Sequence, residues 1–235
     1  MKKSYSILTA VLAATALFGT PYAYAYNTLQ LDIEGGTYDP VTQTIVASGS
    51  TFTLYSLLEP DQDTGTDLVY YISAAITPKL ATQADLGSFT FNGVVIDVTD
   101  DMFFGTPPIA DVDHDLQSHG IFETYYSEFA FQFDETQQVL PYNTAETPGT
   151  TLVNNGTGAY WKAFTIDVSE LNGPYVIHFD LYTHGATNGS KTGITEFAPF
   201  SHDAQSAPVP EPATTLLIGM GVAGLAGVAR RKKKA

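Results

Sequence analysis

Short runs of alternating apolar and polar residues, separated by turn residues, constrain the fold of this chain more than any other feature. Near the start, Leu29, Leu31 and Ile33 alternate with polar residues over positions 28–34, which predicts a half-buried strand with a period of two. Further runs rich in β-branched and aromatic residues cover 42–47, 52–58, 68–77, 160–168 and 175–183. No segment between residues 26 and 207 has a convincing 3.6-residue period. The pattern predicts an all-β fold, a sandwich or a barrel, and we favour an antiparallel, jelly-roll-like β-sandwich.

The pair Asn92-Gly93 gives the sharpest local prediction. It separates the run 88–91 from the run 94–98, and both runs are rich in β-branched and aromatic residues. Asn-Gly suits the two central positions of a type I′ turn, where both residues need positive φ. The sequence therefore predicts a tight β-hairpin here.

The N-terminal 25 residues have the layout of a secretory signal peptide. Two lysines follow Met1, an apolar stretch covers 7–18, and Ala23-Tyr24-Ala25 forms a small-x-small cleavage site. A membrane anchor is the alternative, but the apolar stretch is short and no basic residues follow it. We expect a signal helix over 1–25, export through the Sec pathway, and one exported domain at 26–207.

Charge is distributed very unevenly along the chain. Lys79, Lys162 and Lys191 are the only cations between residues 26 and 207, whereas 24 of the 25 acidic residues lie there, giving a formal charge of −21. Such a surface repels phosphate backbones, which argues against nucleic-acid binding. It attracts divalent cations, although a solvated acidic surface is also common in exported proteins.

The C-terminal segment 208–235 has three parts in a fixed order. The first is the motif Val209, Pro210, Glu211, Pro212. An uncharged run at 213–229 follows, just long enough as a helix for a thin bilayer core. The basic tail at 230–235 comes last and consists of Arg230, Arg231, Lys232, Lys233 and Lys234 followed by alanine, which marks the cytoplasmic side. A single-span transmembrane anchor is the simplest interpretation.

These three parts also resemble the PEP-CTERM sorting signal of bacteria that contain exosortase. The resemblance implies that exosortase, an integral-membrane cysteine transpeptidase, recognises the Pro-Glu-Pro segment and removes the helix and basic tail. It further implies a transient stay in the inner membrane, followed by the cell surface or the extracellular space, where exopolysaccharide or surface glycans are candidate partners.

The region between signal and tail resembles the choice-of-anchor N domain family. The resemblance rests on several short stretches, none of them diagnostic: 29–33, 36–39, 52–55, 71–76, 87–93, 119–125 and 200–204. Members of that family share one exported domain and differ in the C-terminal anchor that follows it. The family implies export and sorting, and no activity transfers from it.

Two acidic loops are candidate calcium sites. The first has carboxylates at Asp61, Asp63 and Asp67 around a glycine, and the second has Asp111, Asp113 and Asp115. The first loop departs from the EF-hand pattern, because Thr66 stands where that loop needs glycine and Ile72 where it needs glutamate. A solvated turn is the alternative for both loops.

Catalytic patterns are missing from the sequence. The five histidines form no His-x-x-x-His pair, there is no cysteine, and no nucleophile elbow or phosphate loop occurs. For His119 and His202 we expect hydrogen-bonded core positions. We therefore expect no enzyme and no obligatory cofactor. A structural or adhesive matrix protein is our first interpretation, and a carbohydrate-binding module, with calcium as a candidate ligand, is the alternative.

Overall fold

Two β-sheets make up the part of the chain that the computed structural model describes, residues 28–80, 85–111, 122–184 and 193–208. The strands are β1 (Leu29–Ile33), β2 (Thr37–Asp39), β3 (Thr44–Val46), β4 (Thr51–Leu58), β5 (Tyr70–Thr77), β6 (Ser88–Phe91), β7 (Val94–Asp97), β8 (Phe103–Gly105), β9 (Thr124–Phe131), β10 (Gln138–Val139), β11 (Ala159–Asp167), β12 (Val176–Thr183), β13 (Glu196–Phe197) and β14 (Asp203–Gln205). Helix in these residues is limited to 3-10 segments such as Pro108–Asp111 and Phe200–His202. The all-β prediction is confirmed. The predicted signal helix and transmembrane helix lie outside the described residues.

The strand order differs from sequence order in both sheets. The first sheet runs β1-β4-β11-β6-β7, with β10 paired to β11, and the second runs β2-β3-β14-β12-β5-β9-β8, with β13 paired to β12. Strand pairs are antiparallel except for β14, which lies parallel to β3 through Asp203↔Thr44, Ala204↔Ile45 and Gln205↔Val46. The second sheet is therefore mixed rather than purely antiparallel. The jelly-roll connection pattern stays a prediction.

The two sheets pack face to face around one apolar core. Side chains from both sheets contribute to it, because alternate residues of each strand point inward. Between the sheets the ring of Phe91 stacks on Phe129 with centroids 3.9 Å apart, and Phe52 meets Phe179 edge to face at 6.2 Å. This arrangement is the two-layer, sandwich-like architecture that the strand pattern predicts.

The Asn92-Gly93 hairpin is confirmed. Strands β6 and β7 pair from Phe91↔Val94 to Ser88↔Asp97, so the loop holds two residues. Asn92 has φ of 51° and Gly93 has φ of 77°, the positive values that a type I′ turn requires.

The outer faces of both sheets are more covered than the alternation predicts. All five residues of β1 are buried, including Gln30 and Asp32, so the prediction of a half-buried strand is wrong for β1. Gln30 donates to the Tyr142 carbonyl at 3.0 Å and accepts from the Thr144 amide at 3.0 Å. A turn-rich segment between β10 and β11 therefore lies on the outer face of the first sheet and covers its polar side chains.

Candidate metal centre on the outer face of the second sheet

Strand β12 sends apolar and polar side chains to opposite faces of the second sheet. Ile177, Phe179 and Leu181 belong to the core between the sheets. Because successive residues of a strand alternate, His178 and Asp180 point to the outer face. All eight residues of β12 are buried nonetheless, so these two polar side chains are enclosed rather than solvated.

The register of the neighbouring strands places further polar side chains beside His178 and Asp180. Asp180 lies opposite Ser73 of β5, and Ser73 lies opposite Glu128 of β9. On the other side, β14 pairs with β12 through His178↔Gln205 and Phe179↔Ala204, which places Asp203 at the next position, beside Asp180. A polar row therefore crosses four neighbouring strands.

The centre of this row is a cluster of one imidazole and two carboxylates, His178, Asp180 and Asp203. His178 Nε2 lies 3.4 Å from Asp180 Oδ1 and 3.5 Å from Asp203 Oδ2. One ligand atom from each of the three residues falls within 4.8 Å of the other two. The residues are 5%, 3% and 0% exposed, so the cluster is almost closed to bulk water.

Several polar atoms of this region lack hydrogen-bond partners among the described residues. They are His178 Nε2, Asp180 Oδ1, both carboxylate oxygens of Asp203, and Ser73 Oγ. A buried polar atom without a partner costs about 1–3 kcal/mol, and more if charged, so native structures rarely leave several together. Glu128, at the far end of the row, differs because it accepts a hydrogen bond from the Tyr182 hydroxyl at 2.5 Å.

The electrostatics of the cluster require positive charge. Burial opposes a charged imidazole, but the adjacent carboxylates of Asp180 and Asp203 outweigh it and raise the pKa of His178. Burial also raises the pKa of Asp203, and the neighbouring Asp180 carboxylate adds to that effect. Both directions follow from two carboxylates sharing a site of low polarity. Either bound protons or a bound cation can supply the charge.

The Asp61, Asp63 and Asp67 loop has a different character. These three side chains are exposed, in the turn between β4 and β5. Asp61 Oδ1 accepts from the amides of Asp63 and Thr64, both at 2.9 Å, and from the Thr64 hydroxyl at 2.7 Å. These bonds close a turn and lower the pKa of Asp61. Within the described ranges, the cluster on β12 and β14 is the one group that has metal-ligand spacing. Calcium binding by this loop stays a prediction.

The remaining predicted site residues lie mostly outside the described ranges. Asp111 is the last residue of a 3-10 helix, whereas Asp113 and Asp115 fall in the undescribed segment 112–121. The sorting motif at 209–212, the run at 213–229 and the basic tail also lie outside. Among the described residues, no helix is both long and apolar enough to cross a membrane.

The sequence analysis does not predict the cluster of His178, Asp180 and Asp203. One signal was present, because His178 and Asp180 are two positions apart in a strand and must share a face. Asp203 joins them only through sheet register.

His202 behaves as expected for a core histidine: it is 5% exposed, with Nδ1 2.7 Å from Ser201 Oγ and Nε2 3.1 Å from Asn143 Oδ1. Burial lowers its pKa to about 4.

The described residues thus define an all-β protein with two packed sheets and a buried polar cluster on one outer face. Residues 208–233 match the family described as the PEP-CTERM protein-sorting motif. The match supports an exported protein that exosortase processes, with sorting at the membrane before arrival at the surface. No curated protein and no solved structure matches this chain. The resemblance of the exported region to the choice-of-anchor N domain remains a hypothesis.

Proposed function

We propose that the exported domain is a structural or adhesive component of the cell surface or the exopolysaccharide matrix, without catalytic activity of its own. The observation that carries the proposal is the sorting motif, which matches from residue 208 onward. The last strand, β14, ends at Gln205, so the motif follows the folded domain almost directly. A domain delivered in this way ends at the surface, where a stable two-sheet scaffold suits a matrix role.

The buried position of the polar cluster supports a non-catalytic role. A catalytic group must come within hydrogen-bond reach of its substrate, about 2.6–3.2 Å. His178, Asp180 and Asp203 are all at most 5% exposed, so a dissolved substrate does not reach their polar atoms without an opening of the fold.

The sorting step is tested by changing Pro210 and Glu211 to Ala together. The variant is expected to be secreted across the inner membrane but to remain there at precursor size, because the segment that exosortase recognises is lost. Changing Glu170 and Pro174 to Ala provides a matched control, since both are exposed in the turn between β11 and β12. Fractionation and immunoblotting measure the result. Normal processing of the 210/211 variant would contradict the proposal.

One surface feature favours the alternative of a carbohydrate-binding module, with calcium as a candidate ligand. Phe103 of β8 is 67% exposed, and its ring meets Tyr126 of β9 edge to face at 5.8 Å. An exposed aromatic ring beside a half-buried one can stack on a sugar ring. A glycan array with the exported protein, in chelator and in calcium, tests this reading. Phe103→Ala should abolish any signal, whereas Val153→Ala, also at an exposed apolar residue, should not.

A further inference from the structure

The orientation of the polar atoms around His178 points to a ligand at their centre. Three side chains that are each more than nine-tenths buried place one nitrogen and two carboxylate oxygens around a common region, and none of these atoms has a hydrogen-bond partner among the described residues. We propose that His178, Asp180 and Asp203 bind one divalent transition-metal cation, with zinc as the best fit. This inference goes beyond the proposed function and does not depend on it.

The distances match a shared cation better than direct hydrogen bonds. A charge-assisted hydrogen bond between imidazolium and carboxylate is about 2.7–2.9 Å long. The two observed N···O distances are longer, 3.4 and 3.5 Å. Zinc bonds to histidine nitrogen and carboxylate oxygen are about 2.0–2.2 Å, and a tetrahedron with bonds of that length has ligand atoms about 3.4 Å apart. The two N···O distances in the cluster therefore match two edges of a zinc coordination tetrahedron.

A dication balances the charge of the cluster without protonation of a carboxylate. Two carboxylates and a protonated imidazole carry a net charge of −1, which is costly to bury. Two carboxylates, a neutral imidazole and a dication are neutral overall. A metal at this position would also satisfy His178 Nε2, Asp180 Oδ1 and one Asp203 oxygen at once. One bound ion would thus supply a partner to three of these atoms at once.

The donor set selects among cations. Calcium takes six to eight oxygen ligands and magnesium demands octahedral oxygen coordination, whereas an imidazole nitrogen suits zinc and similar transition metals. A tetrahedral site needs a fourth ligand. Ser73 lies opposite Asp180 in β5 and is fully buried, and its Oγ lacks a partner among the described residues. Ser73, or a water that Ser73 holds, is the fourth ligand in this proposal.

A cation at this site would link β14, the last strand of the domain, to β12. Strand β14 pairs with β12 at only two positions and with β3 at three. Asp203 opens β14, while His178 and Asp180 belong to β12. A cation shared by these residues adds a bond between the two strands, close to residue 208, where the sorting motif begins. We therefore assign the metal a structural role at the junction of domain and sorting signal.

Metal content and thermal stability test the proposal on the full chain, exported and purified in detergent. Mass spectrometry of the metal bound to the purified chain is expected to find one zinc per chain. Removal by a chelator should lower the Tm, and zinc at a hundredfold excess over its Kd should restore it by roughly 5–10 °C. Magnesium at the same concentration should not restore it. The proposal is overturned if no cation among zinc, manganese, nickel and cobalt binds at one equivalent.

Variants locate the site. Asp203→Asn and His178→Gln keep the side-chain size, and both are expected to lose the bound metal and the chelator-dependent shift in Tm. Asp32→Asn is the matched control, because it makes the same exchange at a buried carboxylate of the other sheet and should retain both. Retention of metal and shift by Asp203→Asn and His178→Gln would overturn the proposal.

Discussion

Replacing Asp32 with Ala should destabilise the domain strongly, because this carboxylate joins strand β1 to the segment that covers it. Asp32 is fully buried. Its Oδ1 accepts from the amides of Ile33 and Gly149, both at 2.8 Å. Its Oδ2 accepts from the Tyr142 hydroxyl at 2.8 Å and from the Thr150 amide at 3.3 Å. Removing the carboxylate leaves these donors without an acceptor.

The magnitude follows from the number of donors left unpaired. A buried donor that loses its acceptor costs about 1–3 kcal/mol, and a hydrogen bond to a charged group contributes about 1.5–3 kcal/mol. The weak 3.3 Å bond adds little. The substitution also relieves the burial penalty of the ionised carboxylate, which is the largest cause of its raised pKa. With this relief and partial relaxation, Asp32→Ala should lower the free energy of unfolding by about 2–4 kcal/mol, toward the upper end for a single substitution. Tyr142→Phe removes one of the bonds and should cost about 1.5–2 kcal/mol.

Urea denaturation at pH 7 measures both effects. The double variant should show a coupling energy of about 1–2 kcal/mol, because Asp32 and Tyr142 contact each other directly. Asp32→Asn should be milder than Asp32→Ala, since the Tyr142 hydroxyl can turn and accept from the new amide. A cost below about 1 kcal/mol for Asp32→Ala would refute the reasoning, because it would approach the roughly 0.5 kcal/mol within which surface substitutions usually stay.

Asp32 also gives a pH dependence with a definite sign. Burial raises its pKa from 3.8 to about 6, although its hydrogen bonds lower it in part. The folded state therefore binds this proton more tightly than the unfolded state does. The stabilisation is fully present below pH 3.8 and is lost as the pH rises through about 6. This group should lower the free energy of unfolding by about 3 kcal/mol over that range. Asp32→Asn should lack this slope, and an unchanged slope would contradict the pKa.

Two further predictions concern loops. Gly149→Ala should cost about 2–4 kcal/mol in urea denaturation, because φ is +78° and the new Cβ would lie 2.6 Å from the Gly36 carbonyl oxygen. Gly93→Ala has nearly the same φ with nothing within 4 Å, so it should cost only about 1 kcal/mol, and equal costs would contradict the steric argument. For the Asp61–Asp67 loop, bound calcium should raise the Tm by roughly 5–10 °C over matched sodium chloride, and magnesium should do less. Changing its three aspartates to Asn should abolish that shift; a shift that remains, or that equals the one in sodium chloride, identifies the loop as a solvated turn.

Local chemistry made several features of this protein predictable from the sequence. Asn92-Gly93 specifies a hairpin because positive φ at two successive residues is a property of those residues themselves. Alternation specifies β-structure and identifies the core face of β12, where Ile177, Phe179 and Leu181 are buried. The segment from residue 208 is recognisable because its order of motif, apolar run and basic tail lies within one continuous stretch.

Only the tertiary structure determines that the polar side chains on the outer faces of the two sheets are buried. Alternation shows that Asp32 points away from the core, but a segment more than a hundred residues away supplies the donors that bury it. His178 and Asp180 share a face by their spacing, whereas Asp203 reaches them because β14 pairs with β12. Pairing between distant strands leaves no trace in local periodicity, because a strand with a polar face has the same alternating pattern whether that face meets water or another segment. The sequence therefore determined the strands and the sorting signal, and the pairing of distant strands determined the buried cluster.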